Sequence, residues 1–142
     1  MFQKMLQGGN EGGNVRDVKW IIKDGELESG YSFRQMAGSA SLITKRNGYY
    51  ELVSHVYGSG AGIDIINSGY KYVFVDVLRQ TANGNTCFFD PNGYNTGKQI
   101  ILAPNSRYII ACDISNSNNI VPTILGWQDS YTVYLYNLWM EK

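Results

Sequence analysis

Charge is scarce in this 142-residue chain. Charged residues make up 17%, against ~25% in an average soluble domain, and 12 acids balance 12 bases. This balance removes the net positive field that draws a protein to nucleic acid or to anionic membranes. Lys45-Arg46 is the only adjacent basic pair, and it precedes an Asn-Gly turn. Histidine is rarer still: His55 stands alone, which excludes a multi-histidine metal centre. It falls within a β-rich run, where a hydrogen-bonded structural histidine is expected.

The two cysteines, Cys87 and Cys112, belong to no C-x-x-C pair. Two buried thiols are expected, and a disulfide between them stays open. The chain also lacks an apolar run near ~18–20 residues, a secretory signal pattern and an N-x-[ST] sequon. Synthesis in a cytoplasm without a membrane anchor is the expectation.

Catalytic signatures are missing as well. No G-x-S-x-G, H-E-x-x-H or Walker-type stretch occurs. The stretch "GSGAG" at 58–62 lacks the spacing of a dinucleotide loop, and no helical segment follows it. It reads as a flexible connection between strands. The carboxylates are scattered, and no spacing selects an acid/base pair of the glycosidase kind. "DPNGYNTG" at 90–97 offers oxygen ligands but lacks the EF-hand pattern, and Asp and Asn are equally the residues of plain turns. The expectation is a protein that is not an enzyme and holds no metal or other cofactor.

What the chain does have is glycine, tyrosine and turns. It carries 16 Gly and 11 Tyr. Asp24-Gly25, Asn47-Gly48, Asn83-Gly84 and Asn92-Gly93 are strong turn dipeptides. Between them lie short runs rich in Val, Ile, Tyr and Phe. Strands are predicted near 15–22, 26–34, 39–45, 49–57, 63–66, 70–80, 86–89, 98–102, 107–114, 120–127 and 131–140. Turns about every 8–12 residues, without a sustained helical period, predict an antiparallel sandwich or barrel spanning 15–142. Ahead of it, residues 1–14 pair an apolar cluster (Phe2, Met5 and Leu6) with the flexible "GGNEGG". That pattern predicts a short N-terminal arm on a hinge.

Several strands are apolar on both parities. In "SYTVYLYNLWMEK", alternation places Tyr131, Val133, Leu135, Asn137 and Trp139 together, against Thr132, Tyr134, Tyr136, Leu138 and Met140. In "YKYVFVDVLR", Val73, Val75 and Val77 oppose Tyr70, Tyr72, Phe74, Asp76 and Leu78. Asp76 breaks the aromatic side and needs a partner if covered. The aliphatic sides fit a sandwich core about 10 Å thick. The other sides need cover from loops, a neighbouring subunit or a flat ligand such as a sugar ring, and tyrosine suits the last two.

Three stretches carry a resemblance. "MFQKMLQGGN" resembles the openings of small virion-associated proteins of phages and prophages. "YTVYLYNLWMEK" is similar to the terminal strand of jelly-roll modules on phage tails and in carbohydrate-binding proteins. "NGYYELVSHVYGSGAG" is similar to β-rich tail-fibre segments. The resemblance implies a jelly-roll-like β-sandwich, often trimeric, acting as a fibre, baseplate or head accessory in a virion.

Two functions follow as expectations. The first is a virion protein that self-assembles, as a trimer by the resemblance, through Phe2, Met5, Leu6, Tyr72, Phe74, Tyr134, Tyr136 and Trp139, and that also binds other virion proteins. The second is a carbohydrate-binding module for a bacterial surface glycan, using Trp127 and Gln128 together with Asn92, Tyr94 and Asn95.

Overall fold

The computed structural model describes residues 17–36, 42–54, 59–80, 87–93, 96–126 and 131–142. The N-terminal arm, His55, Tyr94, Asn95, Trp127 and Gln128 lie outside these residues. All named strands pair antiparallel, as the closely spaced turn signals predict. Two sheets stack face to face, and the architecture is a jelly-roll-like β-sandwich.

The larger sheet is seven-stranded. It runs β11 (Arg107–Asp113), β8 (Tyr72–Arg79), β14 (Tyr131–Glu141), β1 (Val18–Lys23) and β2 (Glu26–Leu27). β14 is long enough to take two neighbours on one side. Its C-terminal half pairs β1, and its N-terminal half pairs β5 (Tyr50–Ser54), which in turn pairs β4 (Leu42–Lys45). The smaller sheet is ordered β10 (Ile100–Ile101), β9 (Cys87–Asp90), β13 (Thr123–Gly126), β6 (Ser59–Ile63) and β3 (Phe33–Met36). β7 (Ile65–Ile66) and β12 (Asn119–Ile120) form a separate ribbon.

Ile22, Leu52, Val73, Val75, Val77, Val133 and Leu138 from the larger sheet share one buried cluster with Ala61, Ile63, Cys87, Phe89 and Ile124 from the smaller. Each fully buried Val, Leu, Ile or Phe side chain contributes about 1.5–3 kcal/mol. Cys87 and Cys112 are both buried free thiols. Burial pushes Cys87 up to about 12 and Cys112 up to about 11, so both stay protonated and weakly nucleophilic at neutral pH.

Three expectations are corrected. The predicted strand 26–34 divides into β2 and β3, with Gly30 at φ 92° between them. The "GSGAG" stretch is not a flexible connection: Ser59–Ile63 is an interior strand, paired to β13 on one side and β3 on the other. Its glycines are there for space. A Cβ on Gly60 would lie 2.9 Å from the Ile124 carbonyl oxygen, and one on Gly62 would lie 2.7 Å from Thr123 Oγ1. Low strand propensity yields here to close packing between neighbouring strands.

The third correction concerns β14. Its register against β8 slips between Leu135 and Asn137, a β-bulge at Tyr136. Beyond the bulge the parity inverts. Val133 and Leu135 point into the core before it, and Leu138 and Met140 do so after it. Trp139 and Asn137 therefore join Tyr134 on the outer face, instead of sharing a face with Val133. The strand looked apolar on both sides partly because one core stripe changes parity midway.

Candidate functional site

The outer face of the larger sheet is built from alternating positions that point away from the core. Pairing fixes which residues stand side by side. One row across four strands reads Trp20, Trp139, Phe74 and Ala111. The next row outward, at the sheet's end, reads Val18, Glu141, Tyr72 and Asp113. A row inward, Asn137, Asp76 and Ile109 lie abreast.

The rings of the first row touch in sequence. The Trp20 and Trp139 centroids are 5.2 Å apart, and Trp139 stacks on Phe74 at 5.1 Å with an interplanar angle of 6°. Tyr72 extends the chain of rings from Phe74 at 6.4 Å. Such contacts contribute roughly 0.5–1.5 kcal/mol each beyond area burial. Trp139 is only 1% exposed, while Tyr72 is 43% exposed. The indole N–H of Trp139 donates to Glu141 Oε2 at 3.1 Å. Trp139 thus supports the face from within and offers no ring surface to a partner. Tyr72 and the half-buried Phe74 and Trp20 are the rings within reach.

A second aromatic group stands at the other end of the face. Tyr49 packs against Tyr134 at 4.6 Å and Tyr136 at 5.5 Å. The Arg107 guanidinium lies 3.7 Å above the Tyr136 ring, a cation–π contact that occupies that ring face. Partial burial holds the Tyr136 phenol above its ordinary pKa, and the neighbouring Arg107 partly offsets the shift.

Between the two aromatic groups sits a polar centre. Arg107 Nε and Nη2 donate to the two oxygens of Asp76, both at 2.9 Å. Asn137 Nδ2 donates to Asp76 Oδ2 at 2.9 Å, and Asn137 Oδ1 accepts from the Asp24 N–H at 2.8 Å. Asp76 thereby gains the partners that its place on a covered face demands. The hydrogen bond to Asp76 raises the Arg107 pKa further, so its charge is permanent. Asp76 takes two of the guanidinium's five N–H groups, and the Arg107 side chain is 43% exposed.

A shallow depression of about 360 Å³ opens at the sheet's end, lined by Tyr72, Phe74, Ala111, Glu141 and Lys142. Rings flank it, and Arg107 stands at the far end of the strand that carries Ala111. Chemically, the face offers flat apolar surface beside fixed hydrogen-bonding groups. Among the described residues, no three His, Cys, Asp or Glu side chains gather as a metal site.

Five residues expected at an interface, Tyr72, Phe74, Tyr134, Tyr136 and Trp139, are brought to this one face, although the bulge and not simple alternation puts Trp139 there. Phe2, Met5 and Leu6 lie outside the described residues, as do four of the five expected glycan contacts. The fifth, Asn92, is spent on a turn that follows β9 of the smaller sheet. Its Oδ1 accepts from the Val121 N–H, and its own N–H donates to Asp90. Asp90 also accepts from Thr96 Oγ1 at 2.8 Å, so this loop is braced by its own side chains. Sequence reasoning missed Trp20, Tyr49 and Arg107. Only Trp20 carried a signal, since it shares the parity of Val18 in a predicted strand. The other two depend on which strands become neighbours.

No protein-family model and no curated protein matches this sequence. Solved structures do. A point mutant of a family 29 carbohydrate-binding module superposes with a TM-score of 0.64 at 8% identity, over 89% of this chain and 92% of that one. A mutant of the module CBM29-2 complexed with cellulohexaose gives 0.62 at 11% identity, over 90% of this chain and 93% of the module. The enzymatically active domain of bacteriophage CBA120 tailspike protein 4 gives 0.52 at 9% identity, over 80% of this chain but 20% of the tailspike. At these identities the likeness establishes the β-sandwich fold.

Proposed function

We propose that the outer face of the larger sheet is a glycan-binding surface that holds sugar rings without reacting with them. One observation carries this reading. Accessible rings (Tyr72, Phe74 and Trp20) share a face with a prearranged polar centre, in which the Arg107 side chain is 43% exposed. A sugar presents the complementary chemistry, with apolar C–H faces and hydroxyl edges. Flat apolar surface with a few fixed polar groups is the usual make-up of a ligand site. The neighbours support the class of ligand, since CBM29-2 mutants were solved with cellulohexaose and mannohexaose.

Asp76 supports binding over hydrolysis. It accepts three hydrogen bonds, two from Arg107 and one from Asn137. A carboxyl group so held is an anchor, not a proton donor for a leaving group.

Calorimetric titration with cellulohexaose and with mannohexaose tests the reading. Tyr72→Ala should weaken binding of the recognised oligomer about tenfold, or about 1.4 kcal/mol. Its stability should fall by no more than about 1.5 kcal/mol, because the residue is 43% exposed and stands at the end of the row of rings. Unchanged affinity in Tyr72→Ala, or no binding of either oligomer by the parent, would sink the reading.

A second reading is favoured by the tailspike likeness: the chain is a virion component, made in a bacterial cytoplasm and assembled as a homo-oligomer, in which this face meets the host surface. Light scattering at micromolar concentration should then give a multiple of the 15.9 kDa chain mass. A monomer counts against it.

A further inference from the structure

The end of the chain fixes where the residues ahead of Asp17 must start. The Lys142 N–H donates to the Asp17 carbonyl at 3.1 Å, and Lys142 Nζ lies 3.4 Å from the Asp17 carboxylate. Val18 then pairs with Glu141, and Glu141 with Tyr72. Glu141, Lys142 and Tyr72 all line the depression. The preceding chain therefore leaves the sheet at the rim of the proposed glycan surface.

Sixteen residues stand ahead of Asp17, MFQKMLQGGNEGGNVR. Their large apolar side chains, Phe2, Met5 and Leu6, are grouped and carry Lys4 among them. A Gly- and Asn-rich stretch from Gln7 to Arg16 joins this group to the sheet. A ten-residue Gly-rich linker has a root-mean-square reach of about 17 Å. One step along a strand face is about 7 Å, so the whole depression falls within reach. Short flexible tethers also hold their cargo at millimolar effective concentration. The depression offers rings from Tyr72 and Phe74; the segment offers the apolar side chains of Phe2, Met5 and Leu6.

We propose that the segment Phe2–Leu6 docks in the Tyr72/Phe74 depression of its own chain and competes there with the sugar. Its effect on ligand rests on the glycan reading above, whereas the docking itself does not. A competitor that fills the depression most of the time lowers apparent affinity by the fraction of chains left open. Phe2, Met5 and Leu6 thereby set how readily the surface is available, although no sugar contacts them.

Two measurements on the full chain test this. In the first, a benzophenone-bearing phenylalanine at position 2 is photo-activated and the product digested with trypsin. A crosslink to the Tyr72–Arg79 peptide in a product of single-chain mass is expected. Crosslinks only between two chains, or none to this face, overturn the proposal. In the second, the Phe2→Ser, Met5→Ser, Leu6→Ser variant is titrated with cellulohexaose and mannohexaose beside the parent. Affinity for the recognised oligomer should rise about three- to tenfold, and an unchanged affinity overturns the competition. The intramolecular crosslink without sugar binding by either protein supports docking and refutes the glycan reading.

Discussion

Trp139→Ala should lower unfolding free energy by about 3–5 kcal/mol, the range for removing a buried tryptophan. The side chain is 1% exposed and holds three neighbours at once. Trp20 leans on one side, Phe74 stacks on the other, and the indole N–H bonds Glu141. Truncation leaves a slot between two rings that cannot close without moving β1 or β8, since both strands are pinned to β14 by their backbone ladders. Urea denaturation monitored by circular dichroism reads the loss. Trp139→Phe keeps a ring but forfeits the N–H, and should retain much of the stability. If the alanine variant lost less than 1 kcal/mol, the ring row would not be the rigid support described above. Sugar binding should fall further in this variant than in Tyr72→Ala, because Trp20 and Phe74 both lose the partner that orients them.

Gly25→Ala is expected to cost about 3 kcal/mol or more, for a different reason. Asp24 and Gly25 form the tight turn between β1 and β2, with φ of 51° and 73°. Left-handed backbone at the glycine alone costs an alanine roughly 1–2 kcal/mol. The larger part is steric. A Cβ at Gly25 would lie 2.2 Å from the Tyr49 nitrogen and 2.3 Å from the Gly48 carbonyl carbon. These are backbone atoms of the second turn, Asn47-Gly48, and no side chain can swing aside to make room. The Gly25 N–H also donates to the Tyr136 carbonyl at 2.9 Å, so the turn is clamped to the β14 bulge. Gly30 and Gly48 supply the control. Both have φ near 90° with open space where a Cβ would point, so their alanine variants carry only the conformational cost. A Gly25→Ala midpoint in urea no lower than that of Gly30→Ala would refute the steric account. Because the Asp24 N–H holds Asn137 Oδ1, a displaced turn also loosens the Asn137–Asp76–Arg107 centre.

Strand content and the valine-rich core face of β8 were legible in the sequence because both follow from local periodicity. Asp76 was legible as a residue needing partners, because one carboxylate among Tyr72, Phe74 and Leu78 is conspicuous at any register. Its partners were not, since Arg107 and Asn137 stand 31 and 61 residues away. The parity of β14 was misread because a bulge leaves no mark in a strand where Tyr, Leu and Trp suit either side. The only trace was the step of three between Leu135 and Leu138, the last core position before the bulge and the first after it. "GSGAG" was misread because glycine was weighed as a breaker, when the neighbouring strands Thr123–Gly126 and Phe33–Met36 come too close for anything larger. The ring row shows the same division. Its members were visible one by one, but not the pairing of Trp20 with Trp139 with Phe74.

The closure of β1 against β14 beside Asp17 and Lys142 has a mechanical consequence. Tension applied at Asp17 and Lys142 enters two strands that run antiparallel, with those ends side by side. A pull on both ends peels them apart one rung at a time, as a zipper opens, and does not shear the whole ladder together. Once the Asp17–Lys142 contacts break, the rungs part in the order Val18 with Glu141, Lys19 with Met140 and Trp20 with Trp139. Strain would therefore dismantle the row of rings while the valine core behind it was still whole.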